Sequence, residues 1–291
     1  MLRTAVLLIL SCVLGTLMAG ESAPLRLGVL ANRGELAAKT QWSEFATWLG
    51  TQCGRSAELV ALPIAQVPKA MAERSVDLLV CNPGLAARVV HESAAVPLAT
   101  WKAKDGSTRM AGVILANPKS GIATVGDLRG RKVMTYGDDS AGAWQFQAGL
   151  LFAKGLDPTK DIQRTISKKQ DDIVLAVKAG AFDAGFVRNG VLEDMIAKGK
   201  LVAADVIVVE PQAAEAGFAH ARTTSFYPEW FLLAGAGLDA AQAKTLAAAC
   251  LALPADQPAL VKAEISGWIA PMDLAPTMEL LKSLKQPPFD R

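Results

Sequence analysis

The sequence contains few of the residues and motifs that mark metal sites and nucleotide-binding sites. It has two histidines and four cysteines among 291 residues, and it lacks C-x-x-C, G-x-G-x-x-G and G-x-x-x-x-G-K-[ST]. Zinc sites require clustered cysteine and histidine ligands, and phosphate-binding loops require glycines at those spacings. We therefore expect neither a metal ion nor a cofactor.

The chain also lacks an excess of either charge. It carries 30 basic and 28 acidic residues, which predicts no basic surface for nucleic acid. A hydrophobic content of 51% in a chain of this length is enough for two lobes, each with its own core.

Long apolar runs are absent except at the N-terminus. Arg3 precedes an apolar run from Ala5 to Val13 and then small residues, which is the pattern of a secretory signal peptide. No later run approaches the roughly 18 apolar residues of a membrane span. We predict a signal peptide at 1–19 and a periplasmic location. Lipoprotein processing at Cys12 is the less favoured alternative, because the apolar core before it is short.

Three cysteines remain after this cleavage, an odd number that permits one disulfide at most. They are Cys53, Cys81 and Cys250, and the sequence does not decide whether any two of them pair. Cys81 ends the apolar run DLLVC, so we interpret it as a small buried hydrophobic residue.

Short apolar strands alternate with amphipathic helices along the mature chain. Strands are predicted at 25–30, 58–62 and 77–81, and apolar residues between Trp42 and Leu49 recur at helical spacing. This alternation indicates βαβ units and a mainly parallel sheet, and hence an α/β fold.

The pattern repeats after a shift of 106 residues. The run Asp77–Leu85 aligns with Asp183–Val191, which places Asn82 opposite Arg188. The joint match predicts two similarly wound lobes. The extended runs at 109–117 and 216–227 are then two crossings between the lobes, which would form a hinge.

The predicted domain boundaries follow from these crossings. The first lobe comprises 24–115 and 222–291, and the second lobe comprises 116–221. The helices predicted near 239–253 and 273–285 have no new sheet to cover, so we expect them to pack on the first lobe.

The stretch TYGDDSAGAWQFQAGLL begins at Thr135 and reads as the end of a strand, a tight loop and a helix. Asp139 or Ser140 is the predicted N-cap. The first-turn N–H groups of Ala141, Gly142 and Ala143 would suit an anionic or polar ligand. An ordinary capped helix is the alternative.

Polar residues follow the buried strands at equivalent places in both halves. Ligands of open α/β sheets bind outside the carboxyl ends of the strands. Asn82, Arg188 and the loop at 139–143 all occupy such ends, so we expect them to line one cleft. Alternatively, Asn82 satisfies a turn and Arg188 is a solvated loop arginine.

Taken together, the motifs resemble the extracytoplasmic solute-binding proteins of phosphate and phosphonate transporters. They are most similar to the periplasmic input domain of tetrathionate-sensing histidine kinases. The motifs, which span the mature chain in this order, are GVLANRG, DLLVCNPG, TVGDLRGRKV, GDDSAG, DAGFVRNGVLEDM and YPEW.

The resemblance implies a type II periplasmic-binding-protein, or venus-flytrap, fold whose two lobes close on a small ligand. It implies ligand contacts at Asn82, at Ser140 to Ala143, and at Arg188 and Asn189. It also implies a membrane partner, either the permease of an ABC transporter or a histidine kinase. Phosphonate-binding members carry a Ser-Thr-Ser type run where Ser140-Ala141-Gly142 stands, so two hydroxyl donors are missing here.

Other candidate ligand contacts come from position alone. Arg33 follows the first strand, Trp101 ends the strand VPLATW, and Trp144 follows Ser140 by four residues. Both tryptophans have core packing as the alternative, and Arg33 has solvent exposure. Tyr227–Trp230 is expected to brace the hinge side, and the resemblance implies a partial ligand role as the alternative.

The ligand is expected to be an anion of low charge. Asp138 and Asp139 would compete with a multiply charged phosphonate at the helix N-terminus, whereas Arg188 would attract an oxyanion. A sulfur oxyanion, or an organic anion with an apolar tail against Trp101 or Trp144, therefore fits better than a phosphonate dianion.

A serine hydrolase is the alternative function. GDDSAG resembles a nucleophile elbow, and Ser140, Asp205 and His220 occur in hydrolase order. However, Asp138 replaces the first glycine of the elbow. We therefore predict a monomeric, non-enzymatic solute-binding protein.

Overall fold

The computed structural model describes residues 23–290, so the predicted signal peptide and Cys12 lie outside the described residues. The strands are β1 Leu25–Leu30, β2 Ala57–Leu62, β3 Leu78–Cys81, β4 Val96–Ala103, β5 Arg109–Met110, β6 Gly112–Ala116, β7 Lys132–Thr135, β8 Gln163–Ile166, β9 Ala184–Arg188, β10 Ile207–Val208, β11 Tyr227–Pro228, β12 Phe231–Ala234 and β13 Ile265–Ile269. The helices are α1 Glu35–Gln52, α2 Val67–Ala72, α3 Pro83–Ser93, α4 Phe146–Ala153, α5 Gln170–Lys178, α6 Val191–Ala197, α7 Ala240–Leu251, α8 Pro258–Ala263 and α9 Ala275–Ser283.

Two sheets form the centres of two lobes. The first sheet has the order β13-β4-β12-β3-β1-β2, and the second has the order β10-β6-β9-β7-β8. We call the parts of the chain built on them the first lobe and the second lobe. Both contain helices and strands in alternation, which confirms the predicted two-lobed α/β fold.

Most strands of each sheet run in one direction. In the first sheet β1, β2, β3 and β4 run together, and β12 and β13 run against them. In the second sheet β6 alone runs against the other strands. Each sheet is therefore mainly parallel but also contains antiparallel pairs. In each sheet one antiparallel strand, β6 or β12, follows directly after a hinge strand.

Two short antiparallel strands join the lobes. β5 pairs with β11, which sets Arg109 opposite Pro228. β6 follows β5 almost directly and β12 follows β11, so the chain crosses between the lobes twice. The ring of Phe226 lies between the guanidinium groups of Arg109 and Arg222, 4.1 and 4.2 Å from its centre, and this contact braces the hinge.

The pairing of β6 indicates where the chain passes from the first lobe into the second. β6 pairs with β9 and β10 in the second sheet, although the predicted boundary assigned residues up to 115 to the first lobe. We propose that this boundary lies before Gly112. The second boundary, after residue 221, stays a prediction.

Each lobe has its own core. Strands β1 and β3 are almost wholly buried, because helices cover both faces of the first sheet. Residues of β6 alternate between the two faces of the second sheet, with Ile114 packing on one side and Val113 on the other. Leu246 of α7 and Leu280 of α9 belong to the first-lobe core, as predicted for the C-terminal helices.

The cysteines within residues 23–290 are free. Cys81 and Cys250 are buried, and burial raises the pKa of both thiols. Cys81 therefore acts as a small core residue at the end of β3, as predicted. None of the described helices combines the length and apolar character that crossing a membrane requires.

Candidate ligand-binding cleft

The loop after β7 leads into a π-helical turn at Ala141–Gln145, which continues as α4. Ser140 occupies the N-cap position, but its side chain makes no capping hydrogen bond. The Gln145 N–H donates to the Ser140 carbonyl at 3.0 Å. Because this first bond spans five residues, the N–H groups of 141–144 have no acceptor inside the turn. The predicted row of first-turn donors is thus present, although in a wider helix.

Arg188 lies directly against this turn. A Cβ added to Gly142 would be 2.8 Å from the Arg188 Cβ and 2.7 Å from the Met110 Cε, so only glycine permits this approach. The Arg188 backbone N–H donates to Gln170 Oε1 at 2.8 Å. Its side chain keeps 31% of its surface exposed, and its Nε donates to the Asn189 carbonyl at 3.2 Å.

The two aspartates of the loop each have an arginine partner. Asp138 pairs with Arg164 of β8 at 2.5 Å, and Asp139 faces Arg88 of α3 at 3.7 Å. Burial raises the pKa of the Asp139 carboxyl, and Arg88 acts in the opposite direction. The competition with a bound anion that the sequence suggested is therefore reduced, since both carboxylates face other cations.

Arg164 also shapes the loop. Its guanidinium donates to the Thr135 hydroxyl at 2.7 Å and to the Tyr136 carbonyl at 2.8 Å, and lies 3.3 Å from the Trp144 ring centre. One side chain thus joins the end of β7, the loop and the π-helical turn.

Asn82 connects the first lobe to this loop. Its Oδ1 accepts from the Leu85 N–H at 3.0 Å, which makes it the N-cap of α3. Its Nδ2 donates to the Asp139 carbonyl of the second lobe at 3.2 Å. The turn role and the cleft position that the sequence offered as alternatives are therefore both present.

A buried carboxylate, Glu229, lies on the hinge side of Arg188. Its Oε2 accepts from the Trp101 indole N–H at 2.9 Å, and its Oε1 lies 4.0 Å from Arg188 Nη2. Burial raises the pKa of Glu229, and Arg188 and the indole act in the opposite direction. Trp101 itself stacks on Trp230 at 4.7 Å and on Trp42 at 6.0 Å, in the first-lobe core.

Three predicted contact residues have other roles in the structure. Arg33 is exposed and pairs with Glu264 at 3.1 Å on the surface of the first lobe. Trp144 is buried in the second-lobe core. Asn189 uses its Oδ1 to accept from the Ala111 N–H at 3.0 Å, which holds the first crossing between β5 and β6. Existing partners or burial occupy these three side chains, so we give them no ligand contact in the proposal below.

The residues of the alternative hydrolase have separate partners. Asp205 pairs with Lys178 at 2.9 Å, and His220 Nε2 lies 2.8 Å from Asp105. Ser140 has neither of them as a hydrogen-bond partner. A catalytic triad needs the serine, the histidine and the acid in contact, so Ser140, Asp205 and His220 do not form one.

Arg88, Arg164 and Glu229 were not predicted as site residues. Glu229 lies in the YPEW motif, which was expected mainly to brace the hinge and for which the resemblance implied at most a partial ligand role. Arg88 and Arg164 follow a helical and a strand pattern respectively, and no local signal distinguishes them from surface arginines.

Comparison with known proteins agrees with this architecture. The sequence profile of the family described as ABC transporter, phosphonate, periplasmic substrate-binding protein matches residues 27–274. The tetrathionate sensor histidine kinase TtrS of Salmonella typhimurium is 27% identical over 275 residues, which are 91% of this chain. The chain spans 44% of the length of that kinase.

Solved structures share the fold. XAC2383 from Xanthomonas citri, bound to ATP, aligns with a TM-score of 0.76 at 16% identity, over 91% of this chain and 98% of its own. PhnD1 from Prochlorococcus marinus, in complex with methylphosphonate, aligns with a TM-score of 0.71 at 13% identity, over 90% and 98%. The two sheets, the double crossing and the profile match together place this chain in the family of periplasmic substrate-binding proteins of phosphonate ABC transporters.

Proposed function

We propose that the protein is an exported receptor that closes its lobes on a small anion and presents the closed form to a membrane partner. The observation that carries the proposal is the position of Arg188. Its partly exposed guanidinium lies beside the open N–H groups of the π-helical turn, while Asp138 and Asp139 face other arginines. A guanidinium next to unpaired N–H groups is a setting that favours an oxyanion.

The ligand contacts follow from this arrangement. Arg188 supplies positive charge, and Ser140 with the N–H groups of Ala141 to Ala143 supplies hydrogen-bond donors. Asn82 joins the first lobe to the loop beside the ligand, and Trp101 holds Glu229 on the hinge side. The ligand class is a sulfur oxyanion or a phosphonate.

A thermal-shift screen of the mature protein tests the ligand class. The panel holds tetrathionate, thiosulfate, sulfite, phosphite, methylphosphonate and small carboxylates. A ligand at 100 times its dissociation constant stabilises the fold by about 2.7 kcal/mol, which raises the melting temperature measurably. No shift with any anion would contradict the proposed function.

The substitution Arg188→Ala tests the site. Removing one member of a desolvated charge pair costs about 2–5 kcal/mol of binding free energy, so titration calorimetry with the best anion of the screen should show a large loss of affinity. Arg33→Ala is the matched control, because Arg33 pairs with Glu264 on the surface and should leave affinity unchanged. Equal affinities for both variants would refute the role of Arg188.

The partner is either an ABC permease or a sensor kinase, and the receptor is a periplasmic monomer. The curated relative is a kinase, but this chain corresponds to under half of its length. The neighbouring genes separate the alternatives. A permease and an ATPase indicate transport, and a kinase with a response regulator indicates sensing. Light scattering of the purified protein checks the monomer.

A further inference from the structure

Glu229 is a carboxylate in the cleft to which the proposed binding role gives no task. Its side chain is 1% exposed and lies between β11 and β12. The indole N–H of Trp101 holds one carboxylate oxygen, and the other faces Arg188 at 4.0 Å. Its backbone N–H donates to the Thr108 carbonyl at 2.9 Å, so the hinge fixes its position.

The charges around Glu229 leave it dependent on Arg188. Burial disfavours the ionised form of Glu229, and Arg188 of β9 contributes the positive charge that favours it. From the loop after β4, Asp105 contributes a negative charge, which is itself paired with His220 from the returning segment at 2.8 Å. The buried carboxylate therefore neutralises part of the positive charge of Arg188, the same charge that a ligand would use.

The remaining arginines of the cleft do not supply a second cation. Arg88 faces Asp139 and Arg164 pairs with Asp138. An anionic group that reaches Arg188 thus meets one guanidinium with a carboxylate behind it. Burial of Glu229 weakens the screening of its charge by water, so a nearby carboxylate and a bound anion repel each other. Each added negative charge on the ligand therefore gains less from this site.

We propose that Glu229 acts through Arg188 as a positioning residue that restricts the bound end of the ligand to a single negative charge, as in a sulfonate or a singly ionised phosphonate. This inference rests on the proposed function. The inference adds to that function a limit on the charge of the ligand group that binds Arg188.

Matched pairs of anions test the charge limit. The pairs are methanesulfonate with methylphosphonate and benzenesulfonate with phenylphosphonate, titrated calorimetrically at about pH 5.5 and about pH 9. The sulfonates keep one negative charge throughout. A phosphonate, like a phosphate monoester, loses its second proton near neutral pH and becomes a dianion. The ratio of phosphonate to sulfonate affinity removes any pH effect that both anions share, including protonation of Glu229 itself.

In the wild-type protein this ratio should fall about ten-fold or more between the two pH values. In Glu229→Gln, which keeps an acceptor for the Trp101 indole, the fall should disappear. Glu264→Gln removes an exposed carboxylate on the first-lobe surface, and it should behave as wild type. The change of this affinity ratio with pH in the wild-type protein can be measured even if a variant fails to fold.

A ratio that stays constant or rises with pH in wild type would overturn the inference, as would an equal fall in Glu229→Gln. Failure of both pairs to bind would also overturn it, because the inference assigns Arg188 to this class of group. The proposed function would fail only if the whole anion panel were silent in the thermal-shift screen.

Discussion

At the scale of the residue, Gln147 joins three segments behind the cleft through one side-chain amide. Its Nε2 donates to the carbonyls of Gly142 at 2.8 Å, Val187 at 2.9 Å and Val113 at 3.3 Å. These carbonyls belong to the π-helical turn, to β9 and to β6. Because Val187 precedes Arg188, the same amide sets the distance between the turn and the guanidinium.

Replacing Gln147 by methionine should therefore destabilise the second lobe. The substitution keeps a similar volume but removes the two N–H donors that these three carbonyls share, and loss of buried hydrogen bonds costs about 1–3 kcal/mol. Urea unfolding measures the loss. Gln52→Met is the control, since Gln52 is exposed and donates only to Thr51, and its effect should stay within about 0.5 kcal/mol. Equal effects would mean that the Gln147 contacts add nothing.

At the scale of the element, the aspartates that open β3 and β9 have the same hydrogen bonds. Asp77 Oδ2 accepts from the Arg26 N–H at 2.8 Å, and Asp183 Oδ2 accepts from the Lys132 N–H at 2.8 Å. In both lobes the backbone N–H of the aspartate donates to the carbonyl of that same partner residue at 2.9 Å. The 106-residue repeat in the sequence is therefore a repeated strand connection.

The Arg26–Asp77 contact should make stability depend on pH. Burial opposes ionisation of Asp77, but hydrogen bonds from the Arg26 side chain and backbone outweigh it and hold the pKa of Asp77 below its usual range. Such a group stabilises the fold above its unfolded-state pKa and loses that contribution as pH falls through the folded-state pKa. Between pH of about 5 and 2, the wild type should lose more stability than Asp77→Asn. Parallel stability curves would contradict this.

At the scale of the whole molecule, the lobes touch through α3 and the loop after β7. Asn82 and Arg88 of the first lobe both contact Asp139 of the second lobe. Near the hinge, the rings of Phe146 and Tyr227 stack with centres 4.0 Å apart. These contacts join the two lobes in the arrangement that the structure has.

Arg88→Ala should shift the ligand-free protein towards an open form. Partly exposed ion pairs contribute about 0.2–1 kcal/mol, so the affinity for the best anion should fall by roughly two- to five-fold. Small-angle scattering should show a larger radius of gyration without ligand and a normal one at saturation. Lys69→Ala removes an exposed pair within the first lobe and serves as control. An unchanged radius in Arg88→Ala would show that this contact does not hold the lobes together.

The sequence by itself determined the alternation of strands and helices in both halves of the chain. Apolar runs, Asn82 after β3 and the strand-opening aspartates are local signals, because strands, caps and turns depend on neighbouring residues. The similar strand order of the two lobes, the two crossings between them and the family resemblance all follow from such signals. The π-helical first turn does not, since the apolar spacing of α4 suits an ordinary helix equally well.

Only the tertiary structure decided the charge partners of the cleft. Arg33 and Arg188 have equivalent settings in sequence, each in or next to a loop after a buried strand. One pairs with Glu264, 231 residues away, and the other faces Glu229. Which carboxylate neutralises which arginine depends on distances of a few ångströms between segments that the fold brings together, and electrostatic energy falls with those distances. The strand pattern carries no information on them.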